Sequence, residues 1–333
     1  MNTLRIRTVA GPANLYPGFI HIATRSIVPN GPAPCDIYME GYNPHVKRLR
    51  LVPVLAAGDL VEAAWLEHLA QGGLTICYVR LENLEELLAY LLARTQDQKA
   101  GIADITPEQR HHLFYEASLC IIKAAMLDLK NGRRLAQGVG QVRELLAWMW
   151  NEEQTHSGLL DVMIQDRQIY THSVNTCLLG LGFAHTLGWE PERSQDLGLA
   201  LFFHDLGLMW PDGGTPEHAA RLLAEENTLV DHPRHGGRLL QTIPGVSQAV
   251  VEMIRNHHEN LDGTGFPHGL KGPQLSAADR LIRIVDLYES YTAGFYCEGE
   301  LSPFVTLKLM RQDLAGKLDR DLLESFIVFL GHM

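Results

Sequence analysis

Seven residues between positions 172 and 286 combine the two ligand types that transition metals such as zinc, manganese and iron accept near neutral pH: His172, His204, Asp205, His232, His257, His258 and Asp286. Two pairs, His204-Asp205 and His257-His258, are adjacent in the chain, and adjacent ligands can serve two neighbouring ions. So dense a set exceeds what an ordinary helical core needs and points to a polynuclear metal centre. A single histidine is more often a hydrogen-bonded core or surface residue, so His45, His68, His111, His112, His156, His185, His218, His268 and His332 are set aside. His235, one helical turn after His232, reads first as exposed and second as a supporting residue. For Asp286 the ordinary alternative is an ion pair with Arg283 or Arg280.

These residues need helices to hold them. The spacing of apolar residues places His172 at the opening of a helix running to about Leu187, packed through Val174, Leu178 and Leu181. His204-Asp205 ends the apolar run Leu197 to Phe203, where two polar side chains are costly unless something coordinates or pairs them. Asp231-His232-Pro233 reads as a helix start, and His257-His258-Glu259 ends a helix from Val246 before the loop Asp262-Gly263-Thr264-Gly265-Phe266-Pro267. Asp286 falls inside the otherwise apolar helical run Leu281 to Leu287, apart from Arg283.

The remaining chain divides by texture. Up to residue 95, short apolar runs (Phe19 to Ile22, Leu49 to Val52, Leu74 to Arg80) alternate with turn residues such as Asn30-Gly31-Pro32 and Gly41-Tyr42-Asn43-Pro44. Short helices are expected over Asp59 to Ala70 and Leu84 to Ala93. From Thr106-Pro107-Glu108-Gln109, a helix start with Thr as cap and Pro in the first turn, helical spacing dominates. It continues through Met126, Val139 to Trp150 and Ser157 to Met163, with Trp148, Met149 and Trp150 read as helix packing. The expected class is mainly α: a small α+β domain over 1–95, a helical connector over 96–150 and an all-α domain over 151–333.

Composition narrows the function. With 333 residues and 46% hydrophobic content the chain is long enough for two cores. A net charge of −11, with no Lys/Arg run, argues against nucleic acid as a partner. A small anionic substrate stays open, because metal ions add local positive charge that a charge sum ignores. Five scattered cysteines (Cys35, Cys77, Cys120, Cys177, Cys297) lack CxxC spacing and suit reduced thiols. With neither a signal-peptide core nor a stretch able to span a bilayer, a cytoplasmic protein without membrane insertion is expected.

In order, the segments Tyr170-Thr171-His172-Ser173, His204-Asp205-Leu206-Gly207, His232-Pro233-Arg234-His235-Gly236, His257-His258-Glu259, Asp262 to Leu270 and Asp286 resemble the HD-GYP family of the HD phosphohydrolase superfamily. The resemblance runs from about Asp166 to Leu330. The N-terminal part looks, more weakly, like the sensory or regulatory domain that precedes some members. The resemblance implies an all-α HD-type helical bundle with an iron or manganese centre, held by the seven residues named, with Asp205 bridging two ions at the catalytic position. It implies hydrolysis of cyclic di-GMP to pGpG, and in some members to GMP, by a hydroxide shared between the metals. Trinuclear members carry a glutamate where this chain has Gln168, so two ions are expected here.

Three positions depart from that pattern. Leu208 stands where members carry a lysine near the substrate phosphate. Phe295 and Glu298 stand where they carry phosphate-gripping basic residues. Charge-assisted contacts of this kind are worth about 1.5–3 kcal/mol each. Phe266 replaces the signature tyrosine and loses only its hydroxyl. Two readings result. The first is an active phosphodiesterase whose substrate contacts come from Lys271, Arg280, the turn Gly265-Phe266-Pro267 and metal charge. The second is a catalytically weak or inactive metal-bound module that acts as a cyclic di-GMP receptor or through a signalling-protein partner. Hydrolysis of a related phosphoester is a third. A homodimer is compatible with all of them.

Overall fold

The computed structural model describes residues 16, 18–43, 48–96, 105–127, 129, 132–151, 155–164, 168–209, 230–295 and 299–332. The chain divides into two compact units, one formed by residues 12–124 and the other dominated by residues 125–333. The division falls inside a helix, downstream of the composition change near residue 95.

In the first unit, β1 (Phe19–Ala23), β2 (Ile37–Asn43), β3 (Arg48–Leu55) and β4 (Ile76–Arg80) form one antiparallel sheet in the order β1-β4-β2-β3. Period-two alternation buries Ile20 and Ile22 of β1. Helices α1 (Ala63–Gln71), α2 (Leu84–Gln96) and α3 (Pro107–Leu127) follow the expected runs. The start of α3 is a reciprocal capping box: Gln109 N donates to Thr106 Oγ1 (3.2 Å) and Thr106 N donates to Gln109 Oε1 (2.9 Å). Two details differ from the sequence reading. Gly41 to Asn43 continue β2 rather than turn, because the chain pairs across to Arg48–Arg50 and Gly41 sits against Val52. Helix α1 begins four residues later than Asp59, whose carboxylate instead accepts from Ala56 N (2.9 Å) in the preceding turn.

The long elements of the second unit, among its described residues, are all helices: α4 (Gly132–Asn151), α5 (Thr155–Asp161), α6 (Ile169–Thr186), α7 (Pro191–Phe203), α8 (His232–Gln241), α9 (Gln248–Asn256), α10 (Ala277–Thr292), α11 (Pro303–Gln312) and α12 (Arg320–Gly331). Helix α6 is buried continuously from Ile169 to Ala184, which marks it as the central helix. It begins three residues before His172, so that histidine lies in the first turn. Helices α7 and α10 pack against α6, while α9 packs on α7 and α8. Three of the later helices carry side-chain caps that fix where they start: Ser247 on α9, Ser302 on α11 and Asp319 on α12. No helix among the described residues is long and apolar enough to cross a membrane.

Helix α10 carries Asp286, and its start is set by Ser276 and Asp279. Asp279 N donates to Ser276 Oγ (3.1 Å) and Ser276 N donates to Asp279 Oδ2 (2.8 Å). Replacing Ser276 by Ala is expected to lower unfolding free energy by about 1 kcal/mol, read as a shifted urea midpoint; an unchanged midpoint would show that the cap is dispensable.

Candidate metal centre

The seven candidate ligands converge from five places in the helical unit. His172 comes from the first turn of α6, and His204 and Asp205 from the residues directly after α7. His232 opens α8, His257 and His258 follow α9, and Asp286 lies in the middle of α10. All seven are buried.

Asp205 stands between two groups. Its Oδ2 lies 3.5 Å from His172 Nε2 and 3.4 Å from His204 Nε2; its Oδ1 lies 3.1 Å from His232 Nε2 and 3.6 Å from His257 Nε2. Ligand atoms of His172, His204 and Asp205 fall within 4.8 Å of one another, and so do those of Asp205, His232, His257 and His258. Asp286 closes the first group, with Oδ1 3.3 Å from His172 Nε2 and 3.8 Å from His204 Nε2. Its Oδ2 faces His258 Nδ1 at 3.8 Å and Arg283 Nη1 at 3.5 Å.

Backbone and side-chain acceptors fix which nitrogen points inward for three of the five rings, His172, His204 and His257. His204 Nδ1 donates to Leu201 O (2.6 Å) and His257 Nδ1 to Ile254 O (2.7 Å), leaving Nε2 of each as the lone-pair atom. His172 Nδ1 donates to Glu289 Oε2. The Nε2 atoms of His172 and His204 then face each other at 3.0 Å, as do those of His232 and His257. Two facing lone pairs would repel, so each close meeting requires either a proton or a metal ion between the nitrogens. Both oxygens of Asp205, Asp286 Oδ2 and His258 Nε2 are buried and make no hydrogen bond. Such orphaned donor atoms, gathered into mixed imidazole–carboxylate sets, fit divalent metal ions.

Electrostatics agree. Burial alone would raise the Asp205 carboxyl, but His204, His232 and His257 hold it well below the usual carboxylate range. Burial, reinforced by His204 and His232, pushes His257 down to about 4 and, with His257, His232 and Arg283, holds His258 well below its ordinary value. Both imidazoles are therefore neutral at pH 7, the form that binds metal. Burial works against charge on His172, yet Glu289, Asp286 and Asp205 outweigh it and keep that ring protonated in the metal-free protein. Metal uptake there displaces a proton.

The surroundings explain the glycines and acids of the motifs. A Cβ on Gly207 would stand 2.0 Å from His232 O and 2.6 Å from Gly236 N, so only glycine lets the turn after Asp205 press onto α8. A Cβ on Gly265 would stand 2.3 Å from Asn260 N. Glu259 gathers the loop after His258 by accepting from His268 N (2.6 Å), Gly269 N (3.1 Å) and Leu270 N (3.0 Å). Phe266 thereby lays its ring over His258, with centroids 4.6 Å apart, and Pro267 O accepts from Arg234 Nη2 (2.9 Å).

Other expected site residues lie elsewhere. The guanidinium of Arg280 is held by Asp319 (3.0 Å) and Gly272 O (2.9 Å), and exposed Lys271 runs its stem over Gly263. Leu208 is buried in the turn after Asp205, and Phe295 sets its ring edgewise on His172 with centroids 5.4 Å apart. Glu298 and Cys297 lie outside the described residues, and half-buried His235 is in neither ligand group.

Glu289 and Asn175 are absent from the sequence reading. Asn175 Nδ2 bridges Glu289 Oε1 (3.0 Å) and Ile164 O (2.8 Å), so the carboxylate that orients His172 is itself fixed. The spacing Asp286-x-x-Glu289 places both acids on one face of α10, a signal that was available. Glu289→Gln is expected to weaken metal binding about 10–100-fold, as loss of an orienting partner does. Competition with a chromophoric chelator measures it, and wild-type affinity would show that Glu289 does not orient the ligand.

Comparison with known proteins agrees with this geometry. Residues 159–322 match the HD domain family. Over 187 residues the chain is 30% identical to cyclic di-GMP phosphodiesterase PA4108 of Pseudomonas aeruginosa, covering 54% of this chain and 45% of that one. Over 164 residues it is 30% identical to 3'3'-cGAMP-specific phosphodiesterase 1 of Vibrio cholerae, covering 47% and 37%. The chain thus spans less than half the length of these curated relatives. Among solved structures, Bd1817, a HDG"Y"P protein from Bdellovibrio bacteriovorus, shares the fold with a TM-score of 0.65 at 19% identity, over 94% of this chain and 99% of that one. The helical unit thus carries the match to the HD domain family, and a small α+β unit precedes it in the chain.

Proposed function

We propose that this chain is a metal-dependent phosphodiesterase that hydrolyses cyclic di-GMP to linear pGpG, with two ions, iron or manganese, held by the seven converging residues. The observation that supports it most is Asp205, whose two unpaired oxygens each face a separate group of histidines. Residues His172, His204, Asp205 and Asp286 would hold one ion; Asp205, His232, His257 and His258 would hold the other. Bound divalent ions supply Lewis acidity toward phosphoryl oxygens and acidify water for attack on phosphorus. The protein's own part is to fix its imidazoles and two carboxylates before substrate arrives, and to keep the neutral ring nitrogens aimed inward. Gln168, a neutral amide at the start of α6, supports two ions rather than three. Named activities of the relatives, on cyclic di-GMP and on 3'3'-cGAMP, support a cyclic dinucleotide as the substrate class. The N-terminal unit is the proposed regulatory part.

A second reading has its own observation. Phe295 sets an apolar ring against His172, and Leu208, buried in the turn after Asp205, brings no charge, which favours a receptor that binds cyclic di-GMP without turnover. Incubation of the purified, metal-counted protein with cyclic di-GMP under reducing conditions with Fe(II) or Mn(II) separates the two. The phosphodiesterase yields pGpG, and Asp205→Ala loses both turnover and metal. Two bound metals without product would reject the enzyme, and binding alone would identify the receptor.

A further inference from the structure

Metal ions hold a phosphodiester by some of its oxygens, and a substrate this anionic also needs a cation on the protein side. Among the described residues near the cluster, most candidates are committed elsewhere. Arg280 is taken by Asp319 and Gly272 O, and Arg234 by Asp231 (3.3 Å) and Pro267 O. Lys271 lies over Gly263, and neither Leu208 nor Phe295 has a charge to offer.

Arg283 differs from all of these. It precedes Asp286 by one turn of α10, so both side chains share the face that meets the cluster. Its Nη1 lies 3.2 Å from His258 Nδ1 and 3.5 Å from Asp286 Oδ2. Its Nε donates to Asn260 Oδ1 at 3.1 Å, which fixes the plane of the fork, and Asn260 in turn donates to Thr264 Oγ1 (3.2 Å) in the loop that carries Phe266. Among the described residues, Nη2 donates to nothing. The side chain is 15% exposed, so the guanidinium stands where the buried ligands give way to solvent.

We propose that Arg283 grips the scissile phosphate, its planar fork binding non-bridging oxygens beside the ions; this rests on the cyclic-dinucleotide reading under Proposed function. The geometry favours an incoming anion for a simple reason. Bound ions would draw on the charge of Asp286 and the lone pair of His258, and a guanidinium beside divalent cations would be repelled until an anion lay between them. A phosphate does that, and arginine matches two of its oxygens at once. Arg283 thus supplies the charge that Leu208 and Phe295 do not.

The probe is a non-hydrolysable phosphorothioate analogue of cyclic di-GMP, titrated into the full chain loaded with Mn(II), with metal per chain counted for each variant. Arg283→Met is expected to weaken binding roughly ten- to a hundredfold, the size of one charge-assisted contact, with metal content unchanged. Arg283→Lys should recover part of the loss. Unchanged affinity in Arg283→Met overturns the proposal. So does a loss that follows metal content and is restored by excess Mn(II), because Arg283 would then only support Asp286. Turnover of unmodified cyclic di-GMP by the wild type is scored separately. A wild type that binds the analogue without turnover sinks the phosphodiesterase and leaves Arg283 to be judged on affinity; one that does not bind it overturns both.

Discussion

Burying a carboxylate with neither oxygen hydrogen-bonded costs several kcal/mol unless positive charge meets it, and Asp205 is 1% exposed with both oxygens unpaired. That cost organises the helical unit. One oxygen faces the imidazoles of α6 and the end of α7, the other those of α8 and the end of α9, so a single side chain ties four helices to one electrostatic centre. Removing the positive charge would leave Asp205, Asp286 and the facing ring nitrogens uncompensated. The site therefore couples metal binding to the packing of the bundle.

The scaffold around Asp205 serves this centre at each step. Helix α6 is buried on all sides, which gives His172 a fixed base, while Glu289 and Asn175 hold its ring from behind. The missing side chain of Gly207 lets the turn after Asp205 touch the backbone of α8, where His232 begins. Glu259 draws the loop after His258 into three backbone hydrogen bonds and sets Phe266 over that ligand. Motif residues that bind no metal are thus the ones that decide where the ligands stand.

Much of this was legible in the sequence, for reasons that differ by residue. Ligand chemistry restricts the choice to histidine and carboxylate, so the seven residues stand out, and helical periodicity, with a helix start at His232-Pro233, locates the elements that carry them. Residues acting through another side chain were harder to see. Arg283 reads as an ordinary ion-pair partner of Asp286, because sequence spacing cannot tell a neutralising arginine from one that also reaches solvent. Glu289 was overlooked although it shares a helix face with Asp286. Strand β2 was disguised by Gly41-Tyr42-Asn43, turn-forming residues that cross-strand pairing with β3 holds extended. Arg280, an attractive cation on sequence, is drawn away by Asp319, a partner 39 residues distant that no local pattern reveals.

In the proposed centre Asp205 joins two metal ions. Electron paramagnetic resonance of the Mn(II)-loaded chain tests it directly, because ions sharing a carboxylate are magnetically coupled whereas separate ions are not. The expected result is two manganese per chain and a spin-coupled spectrum that Asp205→Ala abolishes. One manganese per chain with the six-line spectrum of an isolated ion would contradict it.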